Sequence, residues 1–594
     1  MMQPRFPRLV GWFVTRAPSP DASEGAAPGA RWVDAVLLLA LAAAGYGVMR
    51  AAAEWRAPLT TGMTIDLSVS RLPYYAGLST LRMAIAYVIS LVFSLIYARV
   101  AAGSRIAERI MLPLLDILQS IPILSFMPGV VLGLAALFPG RTLGLELAAI
   151  ILIFTSQAWN LAFSFHQSLI TIPRELSEAA SVYRLGRWRR FTKLELPFGA
   201  IALIANSMMS WAGGWFFLMA SEQFTLGDKN LRLPGLGSYL AGAADAGNGW
   251  ALGMGLLTLI AVIVLLDQLF WRPLVAWSDR FKFEQTGSAE TPSSAVLDAL
   301  QGSATIQWMH ARLFKPVLAA VDRTLSDPDH SHIASAPTVR TRRWAPLSVA
   351  VAVAAGAALV VLVAWGAWSA AQVVMGLSGA EWRYVLACAG ATFLRTSVAL
   401  VLAAAWTIPV GVAIGMNPRL ARKLQPLVQI AASVPATAVF PVLLLALLAL
   451  PGGLNMAAVA LMLLGTQWYV LFNVIAGAMS IPSDLREAAV IYHVTGWRRW
   501  KTLILPAIFP YLVTGMITAT GGAWNASIVS EYVTFAGRKV STLGLGALIA
   551  QAADTGKFPL LLAGTLVMSA IVIAGNRLVW RRLYVLAETR FRLE

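Results

Sequence analysis

Two segments of this 594-residue sequence share a pattern of residues suited to docking on another protein. Each has a glutamate followed by two alanines and, 19 residues after the glutamate, the proline of a Leu-Pro pair. An acid near a helix start and two alanines favour a short helix, and their small side chains allow close contact with a partner. The residues are Glu178, Ala179, Ala180, Leu196 and Pro197 in the first copy and Glu487, Ala488, Ala489, Leu505 and Pro506 in the second.

The composition places these segments in a membrane protein. Hydrophobic residues make up 58% of the chain and charged residues 13%, whereas soluble proteins average about 45–50% and about 25%. The chain has 46 Lys and Arg against 29 Asp and Glu. Because the basic residues lie between apolar segments, we interpret the excess as the positive-inside rule and expect no nucleic-acid partner. A single cysteine, Cys388, excludes an internal disulfide.

Apolar segments long enough to cross a bilayer, about 20 residues each, occur throughout the chain. The predicted spans lie near 33–50, 74–98, 111–138, 143–165, 198–221 and 249–270, and near 346–371, 386–415, 425–450, 456–476, 507–530 and 557–578. The sequence therefore predicts an all-α integral membrane protein with about 12 transmembrane helices. The predicted domains are an N-terminal tail at 1–32, six-helix domains at 33–282 and 344–594, and a linker at 283–343. The basic loops place the tail, the linker and both termini in the cytoplasm.

The two halves are related by an internal repeat. Residues 172–197 and 481–506 align without a gap, and 13 of 26 positions are identical. Such a match indicates two parallel repeats related by an axis along the membrane normal. Residues that pair elsewhere in the repeat are Trp215 with Trp524, Glu222 with Glu531, Asp245 with Asp554 and, at a slightly different offset, Arg82 with Arg395.

Glu-Ala-Ala followed by Leu-Pro, between the fourth and fifth spans on the basic side, resembles the coupling-helix signature of binding-protein-dependent ABC importer permeases. The resemblance covers about 80–272 and 394–580. It implies a type I ABC importer-like fold, with two permease domains fused in one chain and each loop docked on a cytoplasmic ATPase. One departure is that the family usually has glycine six residues after the glutamate, where this chain has Arg184 and His493. In overall pattern the nitrate, sulfonate and taurine permeases are the most similar.

The resemblance also implies a translocation pathway lined by the fifth span of each half. Charged residues in a span are costly and mark functional sites by default, and both fifth spans end at a carboxylate after a segment rich in tryptophan and glycine. Two alternatives stay open, because the arginines could form structural ion pairs and the small residues could serve helix packing. The candidate pathway residues are Trp211, Trp215, Glu222, Trp524, Asn525, Glu531, Arg82 and Arg395.

The implied partners are two cytoplasmic ABC ATPase subunits, a periplasmic or lipid-anchored substrate-binding protein and membrane lipid, at a bacterial inner membrane. We find no Gly-x-x-x-x-Gly-Lys-Ser/Thr phosphate loop in the sequence, so we expect no catalytic residue, metal or cofactor and assign ATP hydrolysis to partner subunits.

The expected substrate is a small solute, with an anion such as nitrate, sulfonate or taurine as one option. The main alternative is a secondary transporter of two six-helix repeats. A basic helix that only anchors topology would explain the arginines but not the repeated spacing.

Overall fold

The computed structural model describes most of the chain beyond residue 64. The described residues are 65–281 without 224, 227–228 and 231, then 294–325 without 310 and 313–314, then 364–590 without 449 and 536–537, and a few isolated positions. The predicted span near 33–50, and most of the one near 346–371, lie outside the described residues.

Long helices dominate the first half. Apolar residues run almost continuously along them, as expected of helices that are surrounded by lipid and by other helices. In chain order the elements are α1 (Leu72–Ala102), α2 (Arg105–Ser120), α3 (Ile123–Leu137), α4 (Leu143–Ile170), α5 (Arg174–Val182), α6 (Arg187–Arg190), α7 (Leu196–Glu222), β1 (Thr225–Leu226), β2 (Lys229–Asn230), α8 (Leu236–Asp245), α9 (Gly249–Leu266) and α10 (Arg272–Ser278).

Three short helices follow in the predicted linker, and the second half then repeats the order of the first. The linker helices are α11 (Ala295–Gly302), α12 (Ala304–Met309) and α13 (Lys315–Leu325). The second half consists of α14 (Gly379–Met416), α15 (Pro418–Ser433), α16 (Ala436–Leu447), α17 (Gly453–Met479), α18 (Ser483–Ile491), α19 (Gly496–Arg499), α20 (Leu505–Ser530), β3 (Tyr532–Phe535), β4 (Arg538–Ser541), α21 (Leu545–Asp554), α22 (Phe558–Gly575) and α23 (Arg581–Arg590).

One apolar stretch in each half is bent where a straight span is expected. Helices α2 and α3 meet at 92°, and α15 and α16 meet at 82°. The bends fall before Pro122 and Pro435, where Ile121 and Val434 have extended backbone (ψ 123° and 117°). A residue that precedes proline is disfavoured in the helical conformation, which explains why the helix stops there. The expectation of one continuous helix near 111–138 and near 425–450 is therefore corrected to two helices each.

The membrane character of the chain is confirmed. Among the described residues, eight helices are long and apolar enough to cross a membrane, or up to ten if each bent pair is one span. The two remaining predicted spans are those outside the described part of the chain, so the total of about 12 stays a prediction.

The chain forms two compact units. The smaller one takes its described residues mainly from 167–204 and 271–378 and includes α5, α6 and α10 to α13. Within it, the Ser303 hydroxyl donates a hydrogen bond to the Asp34 carboxylate at 2.5 Å. The larger unit takes its residues from 46–166, 205–270 and 379–594, and it contains both bent pairs, α14, α17 and α20.

The larger unit packs the two halves into a shared core. One buried cluster joins Leu124 and Ala220 of the first half to Cys388, Trp524 and Ile549 of the second. The backbone amide of Leu124 donates to the side-chain oxygen of Asn525 at 3.3 Å, and Thr565 Oγ1 donates to the carbonyl of Ser125 at 3.1 Å.

Small residues set how closely the helices of this unit approach. A Cβ placed on Gly415 of α14 would lie 2.6 Å from the backbone carbonyl oxygen of Ile475 in α17. Close backbone approach at small residues is the usual basis of helix association in membranes. Gly390, on the same helix, has no neighbouring atom within 4 Å of the corresponding position among the described residues.

These two glycines provide a matched test of the packing. We expect Gly415→Ala to lower the apparent melting temperature of the detergent-solubilised protein, because the new methyl group collides with fixed backbone. Gly390→Ala should leave it unchanged or raise it, since alanine is favoured over glycine in a helix by about 1 kcal/mol. Equal melting temperatures for the two variants would contradict the packing described for α14 and α17.

Candidate functional site

The C-terminal end of α7 carries a fully buried carboxylate, Glu222. It accepts hydrogen bonds from the Ser79 hydroxyl at 2.6 Å, from the Arg82 guanidinium at 2.7 Å and from the backbone N–H of Gly237 at 2.7 Å. Ser79 and Arg82 are three residues apart on α1, which places them on one face of the helix. These contacts tie α1, α7 and α8 together.

Arg82 lies between two carboxylates. Its guanidinium also donates two parallel hydrogen bonds, of 2.5 and 2.7 Å, to Glu146 near the start of α4. The side chains of Arg82 and Glu146 are 2% and 3% exposed. A bidentate pairing of this kind is among the stronger interactions in proteins. We call Ser79, Arg82, Glu146, Glu222 and Gly237 the first glutamate cluster.

The second half builds the same arrangement around Glu531, just after α20. This carboxylate accepts hydrogen bonds from Thr392 Oγ1 at 2.8 Å, from Arg395 at 2.8 Å and from the backbone N–H of Gly546 at 2.8 Å. The remaining nitrogens of Arg395 donate to the amide oxygen of Asn455 at 2.7 and 3.1 Å. These five residues form the second glutamate cluster.

The two clusters differ at one position. Glu146 of the first occupies the place in the repeat that Asn455 has in the second. Arg82 therefore faces two carboxylates, whereas Arg395 faces one carboxylate and one neutral amide. The side chain of Arg395 is also more exposed, at 12% against 2%.

Two glycines let the chain after each hairpin pass directly over the buried glutamate. A Cβ on Gly235 would collide with the Glu222 carboxylate, and one on Gly544 would collide with the Glu531 carboxylate. Both glycines have extended backbone, with φ near 180°. Close approach, rather than an unusual backbone conformation, therefore requires glycine here.

Next to the clusters, the larger unit contains a partly open cavity of about 480 Å³. Both halves contribute to its walls at equivalent places of the repeat. Apolar residues make up most of the lining, as is usual for sites that bind small molecules. Equivalent lining pairs are Pro128 and Pro441, Ala220 and Val529, and Leu240 and Ile549.

Ion pairs also line the cavity. Arg232 is paired with Asp245 at the end of α8, and Lys539 of β4 is paired with Asp554 at the end of α21. The Tyr532 hydroxyl donates to Asp554 at 2.6 Å. Burial, together with this bond to Asp554, raises the pKa of Tyr532 to about 12, and the hydrogen bond to Asp554 raises the pKa of Lys539.

Three polar atoms of the lining are buried and have no partner among the described residues. They are Arg232 Nε, a donor, Asp554 Oδ1, an acceptor, and the hydroxyl of Thr437 in the first turn of α16. Both protein contacts of Asp554 fall on its other oxygen, Oδ2. Buried polar groups are nearly always hydrogen-bonded in proteins, so these three covered atoms are exceptions among the described residues.

The residues predicted for the pathway lie beside this cavity and not in it. Trp215 and Trp524 are 1% and 3% exposed and pack in the core, and Trp211 is 8% exposed. Asn525 joins the halves through Leu124, while Arg82, Arg395 and the two glutamates are held in the clusters. None of the eight is among the described residues that line the cavity, and their pathway role stays a prediction.

The residues of the cavity were only partly visible in the sequence. Asp245 and Asp554 occupy the same place in the repeat, which is a signal that could have found them. Arg232 and Lys539 occupy different places, and no periodicity or motif distinguishes them from other basic residues in loops.

Each Glu-Ala-Ala segment forms a short helix, α5 or α18, that ends in a Schellman motif. After α5, the N–H of Leu185 donates to the carbonyl of Ala180 and that of Arg184 donates to Ser181, both at 3.0 Å. The corresponding bonds after α18 run from Val494 to Ala489 at 2.8 Å and from His493 to Val490 at 3.0 Å. These are the bonds by which a helix terminus commonly satisfies its last carbonyl groups.

Arg184 and His493 take the left-handed conformation that this motif requires. Their φ angles are +49° and +51°. They are the residues that stand where the resembling family usually has glycine. The local turn therefore keeps the glycine geometry although the residues differ, at a cost of about 1–2 kcal/mol for a residue with a side chain.

The Leu-Pro pairs follow a widened turn of helix. Phe191–Glu195 and Trp500–Ile504 have π-helical hydrogen bonding and lead directly into α7 and α20. Pro197 and Pro506 lack an N–H and their rings collide with the carbonyl four residues earlier, which removes the regular α-helical bond at this point.

Comparison with known proteins identifies the class. Residues 90–271 and 407–592 each match the family described as binding-protein-dependent transport system inner membrane component. The two matches cover more than half of the chain, so the chain belongs to this family and contains two permease domains in one polypeptide.

Individual relatives are transport permeases. The chain is 27% identical over 166 residues to the nitrate import permease protein NrtB of Leptolyngbya laminosa, which covers 28% of this chain and 56% of that protein. It is 29% identical to the bicarbonate transport system permease protein CmpB of Synechococcus elongatus, over 24% of this chain and 50% of the relative. The taurine transport system permease protein TauC of Escherichia coli is 26% identical over 32% and 68%. The chain thus spans about half the length of the first two.

The difference between the glutamate clusters gives a matched pair of variants. We expect Glu531→Gln to destabilise the protein by about 3–5 kcal/mol, because Arg395 would lose its carboxylate partner. Glu146→Gln should cost much less, since Arg82 keeps its ion pair with Glu222. The apparent melting temperatures of the two variants in detergent provide the measurement, and a larger decrease for Glu146→Gln would contradict the pairing described here.

The left-handed residues give a second test. Arg184→Gly and His493→Gly should stabilise their loops by about 0.5–1 kcal/mol, because glycine adopts this conformation without steric cost. Hydrogen exchange of the amides in α5 and α18 should slow accordingly. Ser181→Gly, inside α5, is the control and should speed exchange there, and faster exchange in Arg184→Gly would count against the assigned geometry.

Proposed function

We propose that this chain is the membrane-spanning permease subunit of an ATP-driven importer, in which the two Glu-Ala-Ala loops couple the permease to separate ATPase subunits. The observation that carries the proposal is the pair of short helices α5 and α18, which share sequence and cap geometry and lie in two domains of one permease family. A docking element present twice suits a partner with two equivalent subunits.

The exposure of residues on these helices supports docking. Glu178 and Glu487 are exposed, whereas Ala180 and Ala489 are 6% and 8% exposed and pack inward. The side of each loop that is open carries large apolar residues. Val182 is 79% exposed, Ile491 72% and Tyr492 78%. Exposed apolar residues that cluster beside a charged group are typical of a surface that binds another protein.

A continuous helix connects the second loop to the second glutamate cluster. Helix α20 begins directly after the π-helical turn and ends at Ser530, next to Glu531. Its 26 residues span about 39 Å at about 1.5 Å per residue. Movement of the second loop by a bound ATPase would therefore be passed along α20 to the second glutamate cluster.

The partners and substrate follow from the same proposal. Two cytoplasmic ATPase subunits would bind the loops and hydrolyse ATP, and a periplasmic or lipid-anchored binding protein would deliver a small solute. The membrane would be the bacterial inner membrane, with both termini in the cytoplasm. The relatives import or transport nitrate, bicarbonate and taurine according to their names, which supports a small polar solute.

The coupling role is tested by charge reversal on the docking helices. We expect Glu178→Lys and Glu487→Lys each to weaken association with the ATPase subunits about tenfold or more, and the double variant to lose uptake, because the exposed acid would face its binding cleft with the wrong charge. Co-purification and uptake in proteoliposomes are the measurements.

The matched control is Asp298→Lys, which reverses an exposed acid in the first turn of linker helix α11. It should leave association and uptake unchanged. Wild-type association and uptake in the double variant, with its melting temperature preserved, would remove the coupling role from these loops.

A further inference from the structure

The linker helix α13 has large apolar side chains on an exposed face. Val317, Leu318 and Val321 lie on one arc of the helix, because successive residues are about 100° apart. They are 60%, 43% and 36% exposed, and Trp308 of the preceding helix α12 is 58% exposed. An amphipathic helix normally packs its apolar face on a core. Exposure of this face on two successive helices therefore indicates a surface that binds something apolar.

The linker is packed on the ends of two apolar spans. Within the smaller unit, α13 contacts α6 and α11 contacts α10. Helix α6 is the first part of the apolar span Arg187–Glu222, and α10 is the last part of the span Gly249–Ser278. Three of the four residues of α6 are arginines, which are costly in the hydrocarbon interior, so α6 lies at the edge of the membrane. A helix packed on α6 is therefore close to the lipid headgroups.

The charges of this region suit an anionic surface. Residues 304–325 contain three Lys and Arg against one Asp, and Arg312 and Lys315 are exposed, as is Arg187 of α6. Each basic residue near an anionic membrane surface contributes about 1 kcal/mol of attraction. Basic residues beside an apolar face that includes tryptophan are typical of a helix in the membrane interface. A protein partner would also cover an apolar face, but it would not explain the position beside two span ends.

We propose that α12 and α13 bind the surface of the bilayer that the protein spans. Val317, Leu318 and Val321 enter the boundary between headgroups and acyl chains, and Arg312 and Lys315 contact the phosphates of anionic lipids. The linker then has a role besides joining the two halves. The inference rests on the membrane character of the chain and not on the coupling role of the Glu-Ala-Ala loops, so either can fail alone.

The contact with α6 gives the first Glu-Ala-Ala loop a support that the repeat does not supply to the second. Helix α6 follows α5 after the four residues 183–186, so α13 holds the first loop against the bilayer. The linker has no counterpart in the repeat. Trp497 of the second loop is 73% exposed, whereas the equivalent Trp188 is half-buried. We therefore expect only the first loop to respond to changes in α13.

A nitroxide spin label at Val317→Cys tests the contact with lipid. The full-length chain is placed in nanodiscs of phosphatidylcholine with about one quarter phosphatidylglycerol, without any ATPase subunit. Accessibility to oxygen, which concentrates in lipid, relative to a water-soluble nickel complex should be at least about threefold higher than for a label at Asp298→Cys, an exposed position of α11. The unaltered chain is the labelling control, since its one cysteine, Cys388, is buried.

Each other result of the labelling contradicts the proposal. Equal access of the nickel complex to both labels would place the face in water. Shielding of the Val317 label from both reagents would place protein over it. In phosphatidylcholine alone the oxygen preference of the Val317 label should fall at least about twofold, because the attraction of the basic residues is lost. The same preference in both lipids would remove the anionic headgroup from the proposal.

Val317→Asp tests the support of the first loop. The charge should withdraw the exposed face from lipid and speed amide hydrogen exchange in α5 and α6 at least about threefold, while the equivalent helices α18 and α19 stay unchanged. The melting temperature should be preserved, because Val317 is exposed. Ala320→Asp, an exposed position of α13 outside the apolar arc, is the control and should have a smaller effect. Unchanged exchange in Val317→Asp, or an equal effect of the two variants, overturns the anchoring of this loop.

Discussion

The structure depends on the pairing of charged side chains that are buried within the protein. Arg82 and Arg395 lie in helices whose surroundings are almost entirely apolar, and a charge there is costly unless a partner of opposite sign meets it. Each finds a glutamate at the end of a helix that is distant in sequence. The same glutamates accept backbone N–H groups of the following short helix. The pairing of each arginine with its glutamate therefore holds three elements together in each half. It also positions residues that line the cavity.

Duplication explains the shared plan, and divergence explains where the halves differ. Both halves keep the glutamate, the arginine and the glycine that passes over the carboxylate, because a change in any one would leave a buried charge or a steric collision. The position of Glu146 and Asn455 tolerates change, since the arginine retains its main ion pair in either case. The Glu-Ala-Ala loops also share a geometry. Both copies keep the left-handed turn, although the residue at that position is not glycine in either copy.

Much of the fold could be predicted from the sequence, because a membrane helix needs a long apolar segment and a repeat shows itself by alignment. The family and the parallel halves are confirmed. The bends before Pro122 and Pro435 were not predicted, because hydropathy shows that a segment is apolar but not whether its helix is bent. The pairing of Arg82 with Glu222 joins residues 140 positions apart, and only packing selects it from the alternatives. The three unsatisfied atoms depend on which oxygen of a carboxylate is occupied, which no sequence pattern encodes.

Fusion of the halves has a consequence for the cavity that two identical subunits could not provide. On a true two-fold axis every group on one side recurs on the other, so a ligand would meet the same chemistry at both ends and bind equally well either way round. Here the aspartates correspond, but Arg232 stands opposite a serine and Lys539 opposite an asparagine in the repeat. The two sides of the cavity therefore differ in the position of their positive charge, an asymmetry that two identical subunits about an exact two-fold axis cannot have.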